Sequence, residues 1–395
     1  MGETRGARLM LELQDAMRPT LDFLLDSPYA QRQGDPTICD LVLGNPHDPP
    51  LPGIAEAIAR HSKPTSKDHF AYTPGDEGAR AAAAAAITEQ TGVEVDAEDV
   101  FLTGGAFGAI SVILRAIVDP DDEVVFVSPP WFFYEPMIRL AGGTAVRVHA
   151  QPPSFDLPVD AIRAAITERT RAVLINTPHN PSGRVYDDAA LRALAQVLDD
   201  ASQRHGRTIY LLSDESYRRI VFDGATFVPP ASIYPATFML YTYGKTLLAP
   251  GERLGHVALP RVFPDREQLR MPLFFSQVVG GWQFPNTVLQ YALGDLERLI
   301  VDVPRLQARR DRLVDELTRM GFEVTRPDGT FYIMVRSPLP DEMAFLELLA
   351  EHDIFVLPGR ILEQPGWFRL SVTANDDMIE RALPGFEKAL AAARG

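Results

Sequence analysis

Between about Asp99 and Leu259 short apolar runs alternate with stretches of helical character. That alternation is the pattern of a doubly wound α/β domain built on a mostly parallel sheet. Seven candidate strands stand out: Val100–Thr103, Val124–Ser128, Ala145–Val148, Ala172–Asn176, Ile209–Ser213, Phe238–Thr242 and His256–Leu259. Several are apolar on consecutive residues rather than on every second one, as strands covered on both faces require. Glu77–Gln90, with Ala81 to Ala86 at its centre, reads as a helix stopped by Gly92, and Asp187–Gln203 as another.

After Gln290 the texture changes. A long charged amphipathic helix, about Leu296–Met320, leads out of the sheet region. Strands are expected near Phe322–Thr325, Phe331–Val335 and Phe368–Val372, with helices near Asp341–His352 and Asp376–Ala392. This is a second, smaller α+β unit, and 395 residues is more than one core usually serves.

The charge balance, 38 basic against 53 acidic residues for a net −15, repels nucleic acid and acidic membrane surfaces. One cysteine, Cys39, excludes an internal disulfide, and no histidines share metal-ligand spacing, so neither a structural metal nor an oxidising compartment is expected. The stretch Met1 to Asp26 mixes Arg5, Arg8, Glu12, Asp15 and Arg18 with apolar residues, unlike a signal peptide, and no apolar run is long enough for a membrane span. The expected location is the cytoplasm.

Chemistry-bearing residues gather at the ends of the candidate strands. Thr103-Gly104-Gly105-Ala106-Phe107-Gly108 sits between a strand and an expected helix Ala109–Val118, where backbone N–H groups and the helix N-terminus suit an anion. A tight strand-to-helix turn needs glycine in many folds, so this feature alone is unspecific. It is neither G-x-G-x-x-G nor a Gly-Lys-Ser/Thr loop, which removes the nicotinamide-dehydrogenase and nucleotide-triphosphate readings. Next come Asn176-Thr177-Pro178-His179-Asn180-Pro181-Ser182-Gly183 and Ser213-Asp214-Glu215-Ser216-Tyr217, at the rim where open α/β sheets bind ligands. Taken singly these are turn punctuation and a helix cap. The following strand ends Tyr241-Thr242-Tyr243-Gly244-Lys245-Thr246, with Arg253 eight residues past the lysine.

In this order, Asn-Pro-x-Gly, Asp-x-x-Tyr, Thr-x-x-Lys, the spaced arginine and the late Arg369-Leu370-Ser371, the chain resembles the fold-type I pyridoxal-phosphate enzymes over nearly its whole length. It is most similar to the class I/II aminotransferases, and in Tyr134-Glu135-Pro136-Met137 and Asn176 to Gly183 to their kynurenine/glutamine transaminase branch. The resemblance implies an aspartate-aminotransferase-like large domain with a seven-stranded mostly parallel sheet, over 49–295. It implies a small α+β domain built from 1–48 and 296–395, and a homodimer with shared active sites. Lys245 would carry pyridoxal 5'-phosphate as a Schiff base and move the substrate proton. Asp214 would keep the pyridine nitrogen protonated, Asn180 and Tyr217 would hydrogen-bond the phenolic oxygen, and Trp131 would stack on the ring. The phosphate would be held by backbone amides of Gly105 and Ala106, the Thr242 hydroxyl and Arg253, with Tyr72 reaching in from the second subunit. Arg369 would clamp the substrate carboxylate, bordered by Gly44 and Asn180.

Two positions depart from the family's wording. The spacing in Phe70-Ala71-Tyr72-Thr73-Pro74-Gly75 leaves either Phe70 or Tyr72 for the partner contact, and Gly244 stands where many relatives carry serine or alanine. The expected reaction is ping-pong transamination between amino acids and 2-oxo acids. The same apparatus also serves lyases, decarboxylases and oxidases, which form the alternative. A non-catalytic regulator would need a DNA-binding domain for which this acidic chain has no room. Met271 to Tyr291, where dicarboxylate-specific relatives carry a partner-subunit arginine, has no basic residue but has Phe274, Phe275, Trp282 and Phe284. A neutral or aromatic substrate is therefore expected.

Overall fold

The computed structural model describes residues 6–395; the first five residues of the N-terminal stretch weighed above as a signal peptide lie outside the described residues. Strand β1 (Cys39–Leu41) is followed by β2 (Val100–Thr103), β3 (Glu123–Ser128), β4 (Thr144–His149), β5 (Thr170–Asn176), β6 (Tyr210–Asp214), β7 (Thr237–Thr242) and β8 (Gly255–Ala258). Three more, β9 (Tyr332–Arg336), β10 (Ile354–Pro358) and β11 (Trp367–Ser371), lie in the C-terminal third.

Strands β2 to β8 form one seven-stranded sheet in the order β2-β8-β7-β6-β5-β3-β4. Only β8 runs against its two neighbours; the other pairs are parallel. The central strands are buried along their length, since helices cover both faces. Helix Glu77–Thr91 begins where the Asp76 side chain accepts from the Ala79 N–H and ends at Gly92 with φ +72°.

A four-stranded sheet, order β1-β10-β11-β9, joins the N-terminal segment to the C-terminal third, with Cys39 in register with Ile354. It packs its own apolar core, including Leu41, Phe331, Ile333, Phe345, Phe368 and Phe386. Neither β1 nor β10 was expected. Three residues are too few to show a period of two, and β10 ends in Pro358, which argues against a ladder strand.

The long helix expected at Leu296–Met320 is two helices, Thr287–Leu296 and Val303–Met320. The first stops at Leu296, the Val301 N–H turns away to the Thr246 carbonyl at 2.9 Å, and Asp302 caps the second through the Arg305 N–H, with Pro304 in its first turn, where no N–H is required. Phe322–Thr325 is not a strand and contributes a single bridge, Val324 to Val335. The helix expected at Ala109–Val118 starts four residues earlier, spanning Gly105–Ile117. The two glycines carry the chain straight into the first turn, with Gly105 at φ +83°, where any side chain would be strained. No helix among the described residues is long and apolar enough to cross a membrane.

Candidate active site

Because β5, β6 and β7 are parallel and in register, with Asn176 opposite Asp214 and Asp214 opposite Leu240, their C-terminal ends deliver side chains to one rim. A cavity of about 250 Å³ opens there. Gly44, Ala106, Trp131, Asn180, Asp214, Tyr217, Thr242, Lys245, Arg253 and Arg369 all line it, so most of the residues singled out in the sequence converge. Gly105 lies one residue behind the wall, and a Cβ there would come within 2.9 Å of Arg253 Nη2 and 3.3 Å of Thr242 Oγ1.

At one end stands an anion cradle. Arg253, at φ +50°, donates from Nη1 to the Pro250 carbonyl at 2.7 Å and from Nη2 to the Gly104 carbonyl at 2.8 Å. These bonds hold the guanidinium beside the first turn of helix Gly105–Ile117, whose leading N–H groups have no partner within the helix. Thr242 accepts from the Gly244 N–H at 3.3 Å, so the residue ending β7 also shapes the short helix Tyr243–Thr246 that carries Lys245.

Deeper in, Asp214 is buried and has no ion-pair partner among the described residues. Its Oδ1 accepts from the Ser216 hydroxyl at 2.5 Å and N–H at 3.1 Å, and Oδ2 accepts from the Tyr134 phenol at 2.7 Å. Burial pushes the carboxyl above its usual range, against the pull of Ser216, Tyr134 and the Lys245 charge. The Asn176 amide fixes the Asp214 carbonyl at 2.7 Å, and Asn176 Oδ1 accepts from the Asn180 N–H at 2.6 Å.

At the small-sheet side Arg369, buried on β11, donates to Asn180 Oδ1 at 2.9 Å and to the Val42 carbonyl at 3.0 Å. Its Cζ lies 3.8 Å from the centre of the Tyr332 ring. Its Nε is buried without a partner, and burial lowers the guanidinium below its usual pKa. Burial favours the neutral Tyr332 phenol, yet Lys245, Arg369 and the 3.4 Å contact from the Tyr217 hydroxyl hold it below the ordinary tyrosine value. Gly44 leaves room for that phenol, since a Cβ there would sit 2.5 Å from Tyr332 Oη.

Tyr72 and Phe70 do not reach the cavity of their own chain. Both are exposed, and the Tyr72 ring lies 4.9 Å from Trp282. Sequence reasoning missed Tyr134, Asn176, Ser216, Tyr332 and Phe107 as site residues. Ser216 carried a usable signal, since a serine two residues after an aspartate commonly bonds back to it. Tyr134 and Tyr332 are brought in by tertiary packing alone.

The site thus has an arginine at each end, with an amine and a buried acid between them, on an α/β sheet rim. The family described as aminotransferase class I and II matches residues 36–386, and the chain belongs to it. The chain is 31% identical to the aspartate/prephenate aminotransferase of Thermus thermophilus over 389 residues, 95% of this chain and 97% of that one. It is 28% identical to aromatic-amino-acid aminotransferase 2 of Thermococcus litoralis, covering 91% and 93% of the two chains. The crystal structure of an amino transferase from Eubacterium rectale superposes with a TM-score of 0.87 at 28% identity, over 99% of this chain and 97% of that one. The fold and the reaction class agree with the sequence-based expectation: this is an enzyme that transfers amino groups of amino acids.

Proposed function

We propose that the chain uses pyridoxal 5'-phosphate bound at Lys245 to interconvert amino acids and 2-oxo acids by a ping-pong mechanism. One observation carries this reading: Lys245 shares a cavity with a buried carboxylate that has no cationic partner among the described residues, and with two arginines at separate ends. The residues fit the cofactor. A protonated ring nitrogen would complete Asp214, whose three bonds leave about one of four lone-pair positions open. The glycine turn and Arg253 suit a phosphate, and a Cβ at Gly105 would intrude on that cradle.

When bound, the cofactor supplies a carbonyl for covalent capture of amino groups and a ring that accepts electrons from the substrate. Asp214 would hold a proton on the ring nitrogen, Asn180 and Tyr217 would offer hydrogen bonds to the phenolic oxygen, and Trp131 would pack against the ring. The amides of Gly105 and Ala106, the Thr242 hydroxyl and Arg253 would grip the phosphate. Arg369, beside Gly44 and Asn180, takes the substrate carboxylate through its free Nε–H. Lys245 Nζ then moves the proton at the substrate α-carbon.

The same proposal includes a homodimer and the division into 49–295 against 1–48 with 296–395. The pairing of β1 with β10 supports the division. Phe70, Tyr72, Met271, Phe275, Val279 and Trp282 are exposed large apolar residues, and a covering second copy would remove them from water and bring Tyr72 or Phe70 to its neighbour's phosphate cradle. The test is borohydride reduction of the purified yellow protein followed by peptide mapping, with product assays for oxo acid, ammonia and peroxide. Label on Lys245 and oxo acid without ammonia are expected. Label on another lysine, or ammonia or peroxide as product, sinks the reading.

A further inference from the structure

We infer that the substrate side chain is apolar, and aromatic in the best substrates, because the cavity offers it an aromatic wall and no free charge of either sign. This rests on the aminotransferase reading for the placement of the α-carboxylate and phosphate. Three basic residues line the cavity: Lys245, Arg253 and Arg369. Each is committed. Arg253 is pinned at the glycine turn by two carbonyls, and Arg369 by Asn180, Val42 and the Tyr332 ring. The one carboxylate in the lining, Asp214, already accepts three hydrogen bonds.

Of the other lining residues, Leu43, Phe107 and Phe132 are the large apolar side chains with no part in holding the cofactor, and they stand beside Trp131, one face of which the cofactor ring would take. Phe107, on the first turn of helix Gly105–Ile117, meets Trp131 edge to face at 4.9 Å and Phe133 at 5.0 Å, and Phe132 meets Phe133 at 4.7 Å. Such mutually packed rings form a firm surface, and Phe107 is still 40% exposed, so part of its face is free to be covered. A second carboxylate entering here would lose water and gain no partner, and a substrate ammonium would fare no better. The wall belongs to this chain alone, and it is distinct from the aromatic Met271 to Tyr291 segment on the exposed patch.

The test is calorimetric titration of purified holoenzyme with 3-phenylpropanoate and with succinate, alongside kcat/KM for phenylalanine, leucine, aspartate and lysine. Binding of 3-phenylpropanoate tighter by about a hundredfold is expected, the size of one unmatched buried carboxylate. Succinate binding as tightly, or aspartate as the best amino acid, overturns the inference; either result would reveal a cation delivered from a second chain. Tight 3-phenylpropanoate binding with no oxo acid from any amino acid counts against the proposed reaction and not against the apolar character of the cavity wall. Phe107→Ala should lower the affinity for phenylalanine by roughly tenfold or more, and for alanine, too short to reach the wall, by a clearly smaller factor. An equal loss for both removes Phe107 from the wall.

Discussion

The Tyr134 phenol donates a 2.7 Å hydrogen bond to Asp214 Oδ2, tying the acid at the end of β6 to the helix that follows β3. Ser216 holds the other oxygen from the turn beyond β6. Burial and the neighbouring carboxylate hold the phenol well above its ordinary pKa, so it stays protonated and keeps donating. The acid is therefore aimed from two directions before any ligand arrives, which is the preorganisation that electrostatic catalysis needs.

This arrangement carries a stability cost in the cofactor-free protein. Asp214 has a folded-state pKa raised above its ordinary value of 3.8, first by burial, so the native state binds its proton more tightly than the unfolded chain does. Its ionised form thus destabilises the fold at pH values above the raised pKa, and the penalty vanishes as pH falls toward 3.8. Asp214→Asn should raise the melting temperature of the cofactor-free protein at neutral pH, with the gain shrinking on acidification, and should lower turnover by orders of magnitude. Differential scanning calorimetry of the two apoproteins at pH 5 and 8 checks the first part. A lower melting temperature at neutral pH counts against a buried, unpaired acid.

Arg369 is held on three sides, by Asn180, Val42 and the Tyr332 ring, with its Nε–H and one N–H on each Nη not engaged by these contacts. Arg369→Ala should weaken binding of amino acids by about 2 to 5 kcal/mol, the cost of breaking a buried charge pair from one side. An amine without a carboxylate should distinguish the two proteins little. Arg369→Lys should recover only a fraction, since a single ammonium cannot reproduce the planar fork. Comparing KM and kcat/KM for an amino acid and its decarboxylated amine settles it.

The convergence of Lys245, Asp214, Asn180 and Arg253 was legible because each sits at a strand end or in a turn, where the sequence pattern and the direction of a parallel sheet fix the position. Arg369 was legible through the family's wording rather than through any local pattern. Tyr332 was not, because nothing near it in sequence tells that β9 passes beneath Arg369 and beside Gly44. The break between Leu296 and Val303 was not legible because the amphipathic period resumes beyond it, and β10 was not because its terminal Pro358 argues against a ladder strand. The early start of helix Gly105–Ile117 has the largest functional consequence. It places Gly105 and Ala106 in the first turn, where free N–H groups are found, rather than in a loop before it.

A second buried acid lies next to the first. Glu215 pairs with Arg218 at 3.3 Å with both side chains almost fully enclosed, and Arg218 sits 4.0 Å from the centre of the Tyr241 ring. Burial pushes Glu215 up to about 7 despite the opposing pull of Arg218. The folded state therefore holds this proton where the unfolded chain releases it near 4.5, and stability contributed by the proton is lost as pH rises from about 4.5 to about 7. Glu215→Gln should flatten that decline, read as the difference in urea midpoint between pH 5 and pH 8 for wild type and variant. Arg218→Met, which strands the acid, should cost about 3 to 5 kcal/mol at pH 8 and less at pH 5. Equal losses at both pH values would rule out an ionising Glu215 as the cause.

The last prediction concerns the exposed aromatic patch. Tyr72 is 86% exposed and Phe275 59%, and Tyr72 leans on Trp282 with ring centres 4.9 Å apart. Exposed large apolar groups, when they gather on one surface, mark an interface, and Phe275 lies on the helix that leads to Trp282. Phe275→Glu places a charge where the second copy would exclude water, so sedimentation should move from dimer to monomer. If a partner's tyrosine completes the phosphate cradle, the monomer should also release its cofactor more readily, and Tyr72→Phe should reproduce that loosening in an intact dimer by about 1 kcal/mol, the worth of one hydrogen bond. Phe70→Leu should leave cofactor affinity unchanged, because a phenyl ring has no donor to offer. The reverse result, with Phe70→Leu loosening the cofactor and Tyr72→Phe silent, would assign the contact to Phe70 through packing. A Phe275→Glu protein that remains dimeric would place the interface elsewhere on the molecule.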